Sequence, residues 1–200
     1  MAQPVLRSEK PEPATRKGER LADFIRVYDG ALPGELCDRI VARFESDTAS
    51  QQQVDVAAIR RFTVLDITST PSWSDIHQIL LTHLIAGVER YVRDCDTRWL
   101  PHDQSIENFR IKRYQPGTGD EFRPHVDISS LGLAPRMLVI FWYLNDVAEG
   151  GETDFFSLGL AVKPKRGRML MFPPCFLYPH AGRPPISNPK YIVGSYTRYE

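Results

Sequence analysis

Past Pro101 the chain reads as short apolar runs, Phe109 to Gln115, Met137 to Leu144, Arg168 to Phe172 and Tyr191 to Tyr199, divided by loops that hold most of its 16 prolines. Breakers at that spacing predict an antiparallel β sandwich or barrel. Met137 to Leu144 is apolar throughout, so this strand is expected to be covered on both faces, by an opposing sheet on one side and by amino-terminal helices on the other.

Those helices are readable upstream. Leu36, Ile40, Val41 and Phe44 form an apolar stripe after a turn at Asp29, Gly30 and Pro33. Trp73, Ile76, Leu80, Leu84, Val88 and Tyr91 repeat the pattern, with Ser72 and Asp75 resembling a capping box at its start. Leu21 to Tyr28 predicts a short strand, Gln51 to Gln53 a polar break, and Arg61 to Ile67 another strand. Residues 1–20 hold Pro4, Pro11 and Pro13 among charged side chains, too little apolar surface to offset ordering entropy, and are expected to form a flexible arm. A single domain is then expected over 21–200, with its motif-bearing core at 105–200.

Composition narrows the partners. Lys plus Arg and Asp plus Glu both total 25, so the net charge is zero and the footprint of a dedicated nucleic-acid binder is missing. No apolar run reaches about 18 residues and the start has no apolar leader, so neither a membrane span nor a signal peptide is expected. Cys37, Cys95 and Cys175 are odd in number and far apart, which fits free thiols in a reducing compartment and a cytoplasmic location.

His125 and Asp127 stand two residues apart. On an extended segment their side chains leave one face with roots about 6.6 Å apart, close enough to share a cation. His180 is the candidate third ligand. Two imidazoles and a carboxylate on one face of an octahedral ion leave three positions open, the arrangement by which non-heme Fe(II) admits a chelating co-substrate and dioxygen. Zinc hydrolysis uses similar ligands, and a His-x-Asp pair alone is a weak signal.

Its surroundings make the signal stronger. Arg113-Tyr114-Gln115-Pro116-Gly117, His125 to Asp127, Phe141 to Asp146, Glu149-Gly150-Gly151-Glu152-Thr153, Gly167 to Phe172, His180 and Lys190 follow in order. Over residues 108 to 199 this series resembles the 2-oxoglutarate and Fe(II) dependent dioxygenases, in their prolyl 4-hydroxylase-like branch. The resemblance implies a double-stranded β-helix (jelly-roll) core, mainly β, backed by amino-terminal α-helices. It implies that His125, Asp127 and His180 are the catalytic iron ligands, that Lys190 pairs with the distal carboxylate of 2-oxoglutarate, and that Tyr114, Tyr143 and Thr153 contact the same co-substrate. Fe(II), 2-oxoglutarate and dioxygen are the implied cofactors, with ascorbate a candidate reductant. The implied reaction is hydroxylation of an unactivated C–H on a prolyl or peptide side chain, or on a small amino-acid-like metabolite, with release of succinate and CO2. Nucleic-acid demethylases of the superfamily place arginines after the distal histidine, where this chain offers Lys190.

A non-catalytic sensor or scaffold that binds metal or 2-oxoglutarate is the alternative function, and a metal-free binding module is a third. Strand parity adds expectations of its own. If Lys190 faces the cavity, Ile192, Gly194 and Tyr196 share its face, and Gly194 would leave room for a ligand. If Tyr114 points inward, so do Lys112 and Arg110, which would then be placed to receive an acidic group on the prime substrate, although an exposed charged strand end is the commoner outcome. Gly150 and Gly151 predict a tight turn. His77, His83 and His102 are expected to be ordinary surface or packing residues.

Overall fold

The computed structural model describes residues 20–97, 100 and 104–199. The expected arm, apart from Arg20, and His102 lie outside the described residues. Among these residues two α-helices, α1 (Gly34–Ser46) and α2 (Ser74–Cys95), accompany twelve strands. The first six are β1 (Arg26–Tyr28), β2 (Gln52–Val56), β3 (Arg60–Asp66), β4 (Gln104–Ile106), β5 (Arg110–Tyr114) and β6 (Glu121–His125). The rest are β7 (Arg136–Tyr143), β8 (Thr153–Phe155), β9 (Leu160–Val162), β10 (Met169–Phe172), β11 (His180–Gly182) and β12 (Lys190–Tyr199). They pair antiparallel in the order β1-β10-β7-β12-β5-β3-β6-β11-β8-β9, a sheet that curls into a nearly closed jelly-roll barrel, with β2 on β3 and β4 on β12.

Strand β7 divides the interior. Leu138, Ile140 and Trp142 pack with Ile40 and Phe44 of α1 and Ile76, Leu80 and Leu84 of α2. Val139 and Tyr143 turn the other way, to Phe155, Val162 and Tyr178. Alternation along a strand thus gives its continuous apolar run two separate cores. Gly150 and Gly151 sit at φ +76° and +77°, the left-handed turn expected of them. Among the described residues no helix is long and apolar enough to cross a membrane.

Three local expectations fail. Leu21–Phe24 is a 3-10 turn, so the strand there is confined to β1. The polar stretch at Gln51 to Gln53 is no break: Gln52 opens β2, whose residues are mostly exposed because it pairs only with β3, and an edge strand tolerates polar side chains. The capping box is absent. A 3-10 turn at Pro71–Trp73 leads into α2, and the Asp75 carboxylate accepts from Arg43 of α1 at 2.9 Å instead.

Gly194 also departs from expectation. A Cβ there would stand 2.3 Å from the Phe141 Cβ and 2.4 Å from the Ile140 carbonyl oxygen, so the space is taken by β7 rather than by a ligand. The glycine lets β12 and β7 approach closely across the pair Gly194–Phe141.

Candidate active site

Strands β6 and β11 are neighbours, and their register sets His125 opposite His180. Opposed residues in a ladder share a face at about 5 Å between Cβ atoms, and here the two ring centroids lie 4.3 Å apart. Each ring is held by its inner nitrogen. Nδ1–H of His125 donates to the Arg123 carbonyl at 2.7 Å, and Nδ1–H of His180 to that of Tyr178 at 3.1 Å, because a carbonyl can only accept. The Nε2 lone pairs are left facing the Asp127 carboxylate, 3.9 Å from Oδ1 for His125 and 3.5 Å from Oδ2 for His180.

Asp127 follows the end of β6. Its Oδ1 accepts from the Tyr196 hydroxyl at 2.7 Å, while its Oδ2 is buried with no donor among the described residues. A buried carboxylate oxygen without a partner is costly, and a cation held between it and the two nitrogens removes the cost. The three ligating atoms lie within 4.8 Å of one another, a spacing one ion can bridge, and the mixed N/N/O set on one side suits Fe(II) with open positions. Burial pushes the His125 imidazole down to about 4, with His180 adding to the shift and Asp127 opposing it, so its nitrogen is neutral and free to ligate at neutral pH.

Aromatic rings wall this end. Phe122 stacks on His125 at 3.4 Å between centroids, and Phe172 and Phe155 stand at 4.8 and 5.5 Å from the His180 ring. Behind Asp127, Arg136 donates to its backbone carbonyl at 3.0 Å, lies over the Tyr196 ring at 3.7 Å, and pairs with Glu107 at 2.7 Å. Glu107, Arg136 and Tyr196 together fix the loop that presents the carboxylate.

A recess leads from the three ligands to Lys190, passing Tyr114, Thr153 and Gly182. Lys190 is only 2% exposed. Its ammonium donates to the Gly151 and Arg183 carbonyls at 3.0 and 3.3 Å and lies 4.4 Å from the Tyr114 ring centroid, without a carboxylate in ion-pair range among the described residues. Burial pushes it down to about 7; Glu152 opposes the shift and Lys112 adds to it. A cation so placed favours an anionic guest. Tyr143 does not line the recess directly: its hydroxyl meets Thr153 Oγ1 at 2.6 Å and the Val162 carbonyl at 3.3 Å, so it reaches the cavity through Thr153.

All seven residues singled out from sequence are therefore brought to one cavity or, for Tyr143, to its wall. On β5, Lys112 turns inward with Tyr114, whereas Arg110 is an exposed strand end held to Asp66 at 3.3 Å. His77 and His83 lie on α2, as expected. Tyr196 and Arg136 were not anticipated as site residues. The parity of β12 placed Tyr196 on the cavity face, but nothing local in the sequence tied it to Asp127.

The sequence profile of the 2OG-Fe(II) oxygenase superfamily matches residues 109–198. The probable prolyl 4-hydroxylase 11 of Arabidopsis thaliana is 29% identical over 119 residues, 54% of this chain and 40% of its own length. The probable prolyl 4-hydroxylase 4 of that plant is 27% identical, with 80% of this chain and 59% of its own length covered, so the chain spans less than two thirds of either relative. In fold, it resembles the 2OG complex of the viral collagen prolyl hydroxylase of Paramecium bursaria chlorella virus 1, at TM-score 0.68 and 20% identity over 88% of this chain and 97% of that one. A Pseudomonas putida prolyl-4-hydroxylase gives TM-score 0.63 at 16% identity, over 88% and 93%. The barrel, the ligand triangle and the profile match agree: over residues 109–198 the chain is similar to the 2OG-Fe(II) oxygenase superfamily, and the relatives it resembles are named as prolyl 4-hydroxylases.

Proposed function

We propose that this chain is a 2-oxoglutarate- and Fe(II)-dependent dioxygenase that hydroxylates an unactivated C–H bond of a prolyl or similar side chain, on a peptide or a small amino-acid-like metabolite. One observation carries the reading: a single cavity has two Nε2 lone pairs and an unpartnered carboxylate oxygen at one end and a buried ammonium at the other. His125 Nε2, His180 Nε2 and Asp127 Oδ2 would hold the metal. When bound, Fe(II) supplies dioxygen activation coupled to oxidative decarboxylation of 2-oxoglutarate, one oxygen atom entering the substrate C–H as hydroxyl and the other leaving in succinate, with CO2 released.

The chain does the rest by placement. Lys190 offers the distal carboxylate a fixed point charge, with Tyr114 beneath it and the Thr153 hydroxyl as a donor oriented by Tyr143. Phe122, Phe155 and Phe172 keep bulk water from the ligand rings. Tyr196 occupies Oδ1 of Asp127 and so leaves Oδ2 as the oxygen for the metal. No side-chain acid or base is needed. The prolyl hydroxylase names carried by the relatives support a prolyl side chain as substrate.

Succinate release with Fe(II), 2-oxoglutarate and a panel of prolyl peptides and free amino acids, with and without ascorbate, tests the reading. Wild type is expected to form succinate in step with hydroxylated product, and Asp127→Ala to form none. Tight binding of 2-oxoglutarate without turnover on any substrate would replace the enzyme by a sensor.

A further inference from the structure

The chain as a whole is neutral, yet the mouth of the cavity is not. That opening, about 250 Å3, is lined by the cations Arg60, Arg110, Lys112 and Arg136 and by one carboxylate, Asp127. Two of the cations are answered: Arg136 by Glu107 at 2.7 Å and Arg110 by Asp66 at 3.3 Å. Arg60 lies over the Phe122 ring at 5.7 Å. Lys112 is the odd one. It borders the mouth, the recess toward Lys190 and a side pocket between β5, β7 and β12, and its ammonium has no hydrogen bond or ion pair among the described residues, only the Phe62 ring at 5.2 Å. Burial pushes it down to about 8 against the attraction of Asp127.

A strand position pointing into a barrel is ordinarily apolar, since a lysine there gives up hydration with little in return. Its neighbours in alternation, Tyr114 and Arg110, set a spacing of about 6.6 Å on either side along β5. Lys112 thus stands nearer the outer opening than the Tyr114–Lys190 end, on the path by which a substrate must reach the three ligands.

Resting on the dioxygenase reading above, we infer that Lys112 receives a carboxylate of the prime substrate, with Arg60 adding attraction at the rim. The substrate is acidic close to the carbon that is hydroxylated. A carboxylate there gives a half-buried, unpaired cation a partner, and the field of a mouth lined by four cations and one carboxylate draws anions in. The carboxylate has two chemical sources: an Asp or Glu side chain beside the target residue of a peptide, or the α-carboxylate of a free amino acid or chain terminus.

Equilibrium binding to the Fe(II) and 2-oxoglutarate loaded protein, held anaerobic so that nothing turns over, tests this with N-acetyl-prolyl-glutamate amide, its glutamine counterpart, N-acetyl-proline and N-acetyl-prolinamide. Wild type should favour an acidic member of a pair by about tenfold or more. The glutamate pair responds if the source is a side chain, the proline pair if it is an α-carboxylate. Lys112→Met should bring the ratio to near one, and Lys112→Arg should keep it. Equal affinity within both pairs, no binding of either acidic probe, or a preference that survives Lys112→Met overturns the proposal. So does a Lys112→Met effect confined to 2-oxoglutarate affinity. Acid-selective binding followed by no succinate in air would sink the hydroxylase reading and leave the carboxylate site standing.

Discussion

At the scale of single residues the site is governed by which lone pairs are already taken. Tyr196 takes one carboxylate oxygen of Asp127 and the backbone takes Nδ1 of each histidine, so the three atoms left over are the three that converge. Tyr196→Phe removes the first of these restraints without a change of shape, and metal affinity, read by titration of the apoprotein, should fall about tenfold to a hundredfold. Unchanged affinity would show that Arg136, bonded to the Asp127 backbone carbonyl, fixes the loop without Tyr196. Lys190 supplies a pH prediction. Its ammonium is held down to about 7 in the free site, and a bound dianion raises it, so co-substrate binding takes up a proton above that value. Affinity for 2-oxoglutarate should therefore weaken as pH rises from about 7 to about 9, by at most about tenfold per unit, and Lys190→Met should abolish the dependence along with most of the affinity. Isothermal titration across that range checks it. The ligands, Lys190 and Thr153 were legible because they fall in a motif with fixed spacing. Tyr196 was not, because its role depends on a distance between β12 and the loop after β6 that only the assembled barrel creates.

Elements follow a similar division. Helix α2, β7 and β12 were readable because eight or more residues of pattern are enough to establish a period. Strands β8, β9 and β11 have three residues each, too few for any period, and β6 includes Pro124 and charged side chains. Their conformation comes from the ladders they join rather than from their own composition. Gly194 shows the reverse case, where a residue seen in the sequence was given the wrong reason. Gly194→Ala puts a methyl group into the Ile140–Phe141 backbone, and spreading β12 from β7 should cost about 2 kcal/mol, measurable by denaturant unfolding. If stability is unchanged, the strands are not as closely held as the contact implies. Because β12 also carries Lys190 and Tyr196, that variant should weaken co-substrate binding as well.

For the molecule as a whole, a metal held by the three side chains would tie together parts of the chain that are far apart in sequence: β6 and the loop after it on one side, β11 on the other. A ligand that binds only the folded state stabilises it by mass action, about 2.7 kcal/mol when free metal is a hundredfold above its dissociation constant. Anaerobic thermal unfolding should show the midpoint rising with Fe(II) in wild type and staying fixed in Asp127→Ala. The barrel, its helical backing and the two-faced covering of β7 were legible from the sequence, since apolar runs and breakers report what is buried. The order in which the strands close the barrel was not, since β3, from the amino-terminal part of the chain, is inserted between β5 and β6, and pairing between distant segments leaves no local trace. That pairing also bears on how the site takes up its ion. Two of the three ligands sit as rungs of one ladder and the third rides on a loop, so a chain whose strands have zipped correctly presents its imidazoles as a ready-made jaw, and capture of the ion needs only the carboxylate to settle. A slip of β11 by one residue would turn His180 outward, and the chain would then announce its misfolding by failing to take up metal.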